Sequence, residues 1–192
     1  MFAISLGDDD AELRPLEPWQ AEEFLTHMDR GREFVGQHIV LPDFVADLDS
    51  ARSFLRSYAE KAANDTGRIY GIWTGGTLVG GVLFRTMDVT HGTAEAGCWL
   101  EPSAAGKGLI TRACRIIIDW AVEKRGIHRV EWRASAKNAP SIAVARRLGM
   151  TREGVLRESY PHRGTRADTE VWAVLAPEWR AAKTQRAAGG AS

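Results

Sequence analysis

Cysteine is scarce in this chain. Cys98 and Cys114 are the two in 192 residues, too few for a disulfide framework, and neither has clustered histidines or metal-ligand spacing around it. Both are expected as buried thiols, one in a strand and one in a helix, and no bound metal is expected. Net charge is absent too: Lys+Arg 25 balance Asp+Glu 25, and the isoelectric point is near 7.0. That balance gives no global electrostatic drive toward nucleic acid or an anionic membrane, so any anion site must be local. No window approaches the roughly 20 apolar residues of a membrane span. Met1 to Gly7 lacks a basic region followed by a long apolar one, which makes the cytoplasm the expected compartment. No long low-complexity linker divides the sequence, and 44% apolar content suffices for one substantial core, so a single domain over residues 1–180 is expected. Residues 181–192 carry no large apolar side chain and are expected to be disordered.

What is present switches repeatedly between strand-like and helical periods. Glu12 to Pro15 reads as a short strand. Pro18 opens a helix to about Arg30 with Trp19, Phe24, Leu25 and Met28 as its apolar positions, and a second helix follows Asp47 with Leu48, Phe54, Leu55, Tyr58 and Ala62. Arg68 to Trp73 and Thr77 to Phe84 flank Thr74-Gly75-Gly76, a hairpin signal, and Ala94 to Leu100 is the next strand. Ile110, Ala113, Ile117, Trp120, Ala121 and Lys124 follow helical spacing until Gly126 ends the helix. His128 to Ala134 is a strand, and Asn138 to Leu148 a short helix with Pro140 in its first turn. Two final strands, Gly154 to Tyr160 and Thr169 to Leu175, are joined through His162-Arg163-Gly164-Thr165. Of the seven tryptophans, Trp73, Trp120, Trp132 and Trp172 sit in apolar-periodic elements and are assigned to the core.

The most informative stretch runs from Trp99 to Thr111, where a strand enters a glycine-turned loop and then an apolar helix. With Gly106 and Gly108 free of side chains, the backbone N–H groups of the loop and first helical turn can converge on a phosphate, and a diphosphate is the expected guest. A nucleotide hydrolase is not indicated: Lys107 lies between the glycines, and no G-x-x-x-x-G-K-[ST] pattern occurs.

Four segments together carry a family resemblance: Ala94 to Leu100, Gly106 to Thr111, Asn138 to Ser141, and Ala145 to Gly154. In order and spacing they resemble the GNAT superfamily of N-acetyltransferases, most closely its RimJ/RimL-type branch, from about Leu13 to Leu175. The resemblance implies an α/β fold with a mixed, largely antiparallel central sheet, flanking helices and a splayed acyl-CoA cleft. The family's phosphate motif, Q/R-x-x-G-x-G/A, begins here with Ser103, and Ala105 stands where close relatives often have Gln; the backbone cradle survives both changes.

The implied cosubstrate is acetyl-CoA or another acyl-CoA. Its diphosphate would lie on the N–H groups of Gly106, Lys107, Gly108, Leu109, Ile110 and Thr111, at the positive end of the helix dipole. Trp99 and Leu100 would offer strand backbone to the pantetheine arm. Asn138 would hydrogen-bond that arm or cap its own helix, and the two roles are compatible. The implied chemistry is direct attack by a neutral amine on the thioester, with no covalent enzyme intermediate. Ser141, about one turn beyond Asn138, is assigned near the sulfur as general acid, with a helix cap or a solvated hydroxyl as the competing role. Glu95 is the preferred base, with a structural ion pair as the competing role. Glu158, on the same face as Tyr160 if the strand is regular, is a second candidate base, and Tyr160 could instead serve near the thiol. His162 and Asp168 either touch substrate or order the last turn. Phe34, His38, Phe44, Tyr160 and His162 fall in or beside the segments that shape the acceptor cleft in this family. The first expectation is a protein or peptide α-amine as acceptor. A small amine such as a polyamine or antibiotic, and a non-catalytic acyl-CoA sensor, are the alternatives. Nothing points to a nucleic-acid or membrane partner, and a homodimer is left open.

Overall fold

The computed structural model describes residues 3–7 and 10–189. Its elements run β1 (Ile4–Ser5), β2 (Ala11–Pro15), α1 (Ala21–Gly36), α2 (Leu48–Ala63), β3 (Arg68–Thr74), β4 (Thr77–Asp88), β5 (Thr93–Leu100), α3 (Leu109–Lys124), β6 (Arg129–Ser135), α4 (Ala139–Arg147), β7 (Thr151–His162), β8 (Thr165–Leu175) and α5 (Ala176–Gly189). The strands form one sheet in the order β1-β2-β3-β4-β5-β6-β8-β7, and β5–β6 is the parallel pair in an otherwise antiparallel ladder.

Alternating side chains give the sheet two apolar faces, each covered by helices. On one face Val82, Phe84, Ala96 and Trp132 pack with Ala113, Ile117 and Ala121 of α3. On the other, Trp73, Leu83 and Trp99 pack with Phe24 and Met28 of α1 and Leu55 of α2. The Asp47 side chain accepts from Ser50 N at 2.8 Å and so starts α2 as its N-cap.

Several boundaries differ from expectation. Pro18–Gln20 is a 3-10 turn, and its tighter winding leaves Trp19 78% exposed instead of in the core. The helix then continues past Arg30 to Gly36, because Val35 is still buried against the sheet side. The last hairpin is longer than its apolar pattern indicates, reaching from Thr151 to Leu175. Residues 181–189, expected to be disordered, continue α5, while residues 190–192 lie outside the described residues. The anchor of α5 is Trp179, fully buried with its indole N–H donating to Asp119 Oδ1 at 2.6 Å, reinforced by Lys183 on the same carboxylate.

Candidate active site

The two halves of the sheet part company along β5 and β6. β5 stays paired with β4 up to Leu100, and β6 with β8 up to Ser135, yet β5 and β6 pair with each other only from Thr93↔Arg129 to Ala96↔Trp132. Beyond that point the edge of β5 facing β6 is unpaired over residues 97–100, and a cleft of about 800 Å³ opens between the strands. Cys98 lines it, half-buried, with burial pushing its thiol up to about 12, while Cys114 is fully buried and its thiol is also held in the protonated form. Trp99 contributes backbone to the cleft, since its indole is 3% exposed and packs over Gly81, where a Cβ would come within 2.2 Å of the ring.

At the mouth of the splay, Gly106 (φ +80) and Gly108 (φ +71) turn the chain into α3, and both line the cleft. Gly108 caps α3 in the left-handed conformation with no side chain satisfying the first turn, so the N–H groups of Leu109, Ile110 and Thr111 remain available. A Cβ on Gly106 would meet nothing within 4 Å, which leaves open space beside the loop. This is a cradle suited to a diphosphate. Lys107 is exposed and outside the cleft lining. Ser103, at the first position of the motif, is turned away from the cradle, its hydroxyl donating to Glu101 Oε1 at 2.6 Å.

Across the cleft, Asn138 caps α4 by accepting from Ser141 N at 3.1 Å, and it is 7% exposed. Its amide NH2 is left to donate. The Ser141 hydroxyl accepts from the Trp132 indole N–H at 2.9 Å, so its own proton is free for another acceptor.

At the other end of the cleft, Glu95 is the one carboxylate among the lining residues, ion-paired with Arg85 at 3.0 Å. Tyr160 lines the same end, and its hydroxyl donates to His38 O at 3.1 Å. Burial holds this phenol above the usual tyrosine range, opposed by Arg85. Glu158 does not join it. A register shift between Leu156 and Tyr160, with Glu158 at φ +50, breaks the alternation that would have put both on one face. Glu158 is exposed and outside the cleft lining, its backbone held by Asp168 Oδ1 and Arg166 Nη1, both at 2.9 Å. Asp168 thus orders the irregular strand. His162 lies outside the lining and stacks on Tyr160 with ring centroids 5.9 Å apart, whereas Phe34, His38 and Phe44 do line the cleft.

Sequence reasoning missed Arg85 as a cleft residue and placed Phe54 and Tyr58 only in a helix core, although both also line the cleft. It also missed a buried network between α1 and the end of β5. The His27 imidazole donates from Nδ1 to Glu101 Oε2 at 3.2 Å and accepts at Nε2 from the Trp99 indole N–H at 3.0 Å. The indole can only donate, which fixes the tautomer. Arg30 joins Glu101 Oε2 at 3.2 Å and Leu78 O at 2.6 Å. Burial keeps His27 below its ordinary range against the pull of Glu101, so it is neutral near pH 7. Among the described residues, no group of three or more His, Cys, Asp or Glu could hold a metal ion, and no helix is long and apolar enough to cross a membrane.

Comparison with known proteins agrees with this geometry. Residues 11–151 match the family described as the acetyltransferase (GNAT) domain. The chain is 31% identical over 170 residues to the probable N-acetyltransferase YjcK of Bacillus subtilis, covering 86% of this chain and 94% of that protein. It is 29% identical over 188 residues to the putative ribosomal N-acetyltransferase YdaF of the same organism, covering 95% and 100%. Among solved structures, RimL, a ribosomal L7/L12 alpha-N-protein acetyltransferase in complex with coenzyme A, superposes with a TM-score of 0.84 at 20% identity, covering 90% of this chain and 97% of that one. The microcin C7 self-immunity acetyltransferase MccE, in complex with acetyl-CoA and AMP, gives 0.82 at 25% identity, covering 90% and 95%. With most of its length under the family match and a relative of 31% identity along nearly all of its own, the chain belongs to the GNAT acetyltransferase family.

Proposed function

We propose that this acetyltransferase moves an acetyl group from acetyl-CoA to the α-amine of a protein or peptide by direct attack. The observation that carries the reading is the splay of β5 from β6, which opens onto the uncapped, glycine-turned start of α3. The cradle from Gly106 to Thr111 receives the diphosphate, the free edge of β5 at Trp99 and Leu100 pairs with the pantetheine amides, and the Asn138 amide donates to that arm. Acetyl-CoA supplies an acyl group activated as a thioester.

Glu95 takes a proton from the incoming ammonium, directly or through water, and releases it to solvent. The neutral amine attacks the carbonyl carbon, the C–N bond forms and the C–S bond breaks. Ser141 gives its hydroxyl proton to the leaving sulfur and recovers one from the new amide nitrogen through solvent, so the products are an N-acetyl amine and the free thiol. Tyr160, neutral and anchored on His38 O, borders the acceptor end. A protein acceptor is supported by relatives named as ribosomal acetyltransferases, YdaF and the ribosomal-protein-serine acetyltransferase of Escherichia coli, the latter 24% identical over 130 residues.

The test incubates the protein with acetyl-CoA and a pooled panel of peptides and small amines, following thiol release and acceptor mass together. Acetyl gain on a peptide α-amine is the expected result. Gain on small amines alone overturns the peptide acceptor, and saturable acetyl-CoA binding without any turnover overturns the catalytic reading.

A further inference from the structure

Six large hydrophobic side chains remain exposed among the described residues, and three of them line this one cleft: Phe34 at 39%, Phe44 at 58% and Leu156 at 45%. Scattered exposed apolar groups need no explanation, but a concentration of them around a catalytic cleft marks a surface that something apolar covers. The wall behind them is built of packed aromatic rings. Phe54 stacks on buried Phe24 with centroids 5.8 Å apart and packs against Tyr58 at 5.2 Å, so aromatic packing continues from the core to the cleft.

Polar side chains on the same wall are turned toward one another. The Ser159 hydroxyl donates to Thr169 Oγ1 at 2.7 Å, the Tyr160 hydroxyl to His38 O at 3.1 Å, and Arg85 to Glu95 at 3.0 Å. The hydroxyl protons of Ser159 and Tyr160 are thus already given to partners within the protein, whereas an apolar group needs no partner and only displaces water from phenylalanine rings. The positive charge of an ammonium has its complement in Glu95, the sole carboxylate of the lining.

We infer that the preferred acceptor carries a bulky apolar or aromatic group beside its reactive amine, as an N-terminal Phe, Leu or Met does, with the amine directed to Glu95 and the apolar group covering Phe34 and Phe44. Acceptors with small polar or acidic first residues are then disfavoured. The inference rests on the amine-acetylation reading above.

The experiment measures kcat/KM for peptides identical except at the first residue (Phe, Leu, Ser or Asp), together with phenethylamine and ethanolamine. Phe and Leu peptides are expected to exceed the Ser and Asp peptides by at least about tenfold. In Phe34→Ser and Phe44→Ser that ratio falls toward one, mainly through KM. Both side chains are exposed, and thermal melts confirm that the variants fold. Ser or Asp peptides acetylated as well as Phe peptides overturn the inference, as does a preference that survives both substitutions. If all peptides are inert but phenethylamine is acetylated well above ethanolamine, the peptide reading fails and the apolar subsite stands. If phenethylamine has no advantage there either, both fail.

Discussion

Ser141 and His27 show how one hydrogen bond fixes where a side chain's proton can go. The Ser141 oxygen accepts from Trp132, so the hydroxyl proton has no competing partner on that side and is positioned to be given away. Ser141→Ala is expected to lower kcat by roughly 100-fold, the lower range for loss of a general acid, with the acetyl-CoA dissociation constant little changed. The indole N–H left without its acceptor costs about 1–3 kcal/mol of stability, so Ser141→Thr, which keeps both oxygen and proton, separates the chemical effect from the structural one. Single-turnover kinetics beside a binding titration make the measurement. For His27 the consequence is a pH dependence of stability. The unfolded imidazole titrates near 6.5, while burial holds the folded one lower. Between those values the unfolded chain binds more protons, so stability falls as pH drops below about 6.5 and is independent of His27 above it. Melting temperatures from pH 8 down to 5.5 should show that decline, flattened in His27→Gln, whose amide can still donate to Glu101 and accept from Trp99. Asn138 and Ser141 were legible in the sequence because their relation is local. The His27–Glu101 contact joins residues 74 apart and leaves no local pattern.

At the scale of elements, the loop into α3 works through backbone direction. Gly106 stands at φ +80 with open space where a Cβ would go, so Gly106→Ala introduces strain without collision. The left-handed conformation costs an alanine about 1–2 kcal/mol. Relief of that strain turns the N–H groups of the loop out of the cradle. Calorimetric titration with coenzyme A should show about a tenfold weaker dissociation constant, the equivalent of about 1.4 kcal/mol, while far-ultraviolet circular dichroism stays unchanged. An affinity equal to the parent's would remove the diphosphate from this loop. Strands β3, β4 and β5 were legible because β-rich apolar runs and the Gly75-Gly76 pair are local signals. The β7 irregularity was not. It depends on Asp168 in the neighbouring strand holding Glu158 N, and it took Glu158 off the face assigned to it. Nor was α5, whose socket for Trp179 includes Asp119, 60 residues earlier.

Taken whole, the molecule is two half-sheets joined by a short parallel ladder, Thr93↔Arg129 to Ala96↔Trp132, with the Tyr160–His38 hydrogen bond as a further link across the cleft. The first half supplies the free edge at Trp99 and Leu100 and leads into the cradle; the second supplies Asn138 and Ser141. A ligand that touches both walls binds only when the halves are correctly apposed, and therefore stabilises the folded chain by mass action. At 100 times its dissociation constant that contribution is about 2.7 kcal/mol, which for a chain of this size raises the melting temperature by roughly 5–10 °C. Coenzyme A and acetyl-CoA should behave alike in thermal denaturation, because they share the diphosphate and the arm. Adenosine 3′-phosphate 5′-diphosphate at the same concentration keeps the diphosphate but lacks the arm, engages only the cradle side and should give a clearly smaller shift. Gly106→Ala should shrink the coenzyme A shift without abolishing it, since on the proposed binding mode the arm would still meet β5 and Asn138. If adenosine 3′-phosphate 5′-diphosphate matches coenzyme A, the arm contributes nothing across the splay, and the gap between β5 and β6 is not where the pantetheine lies.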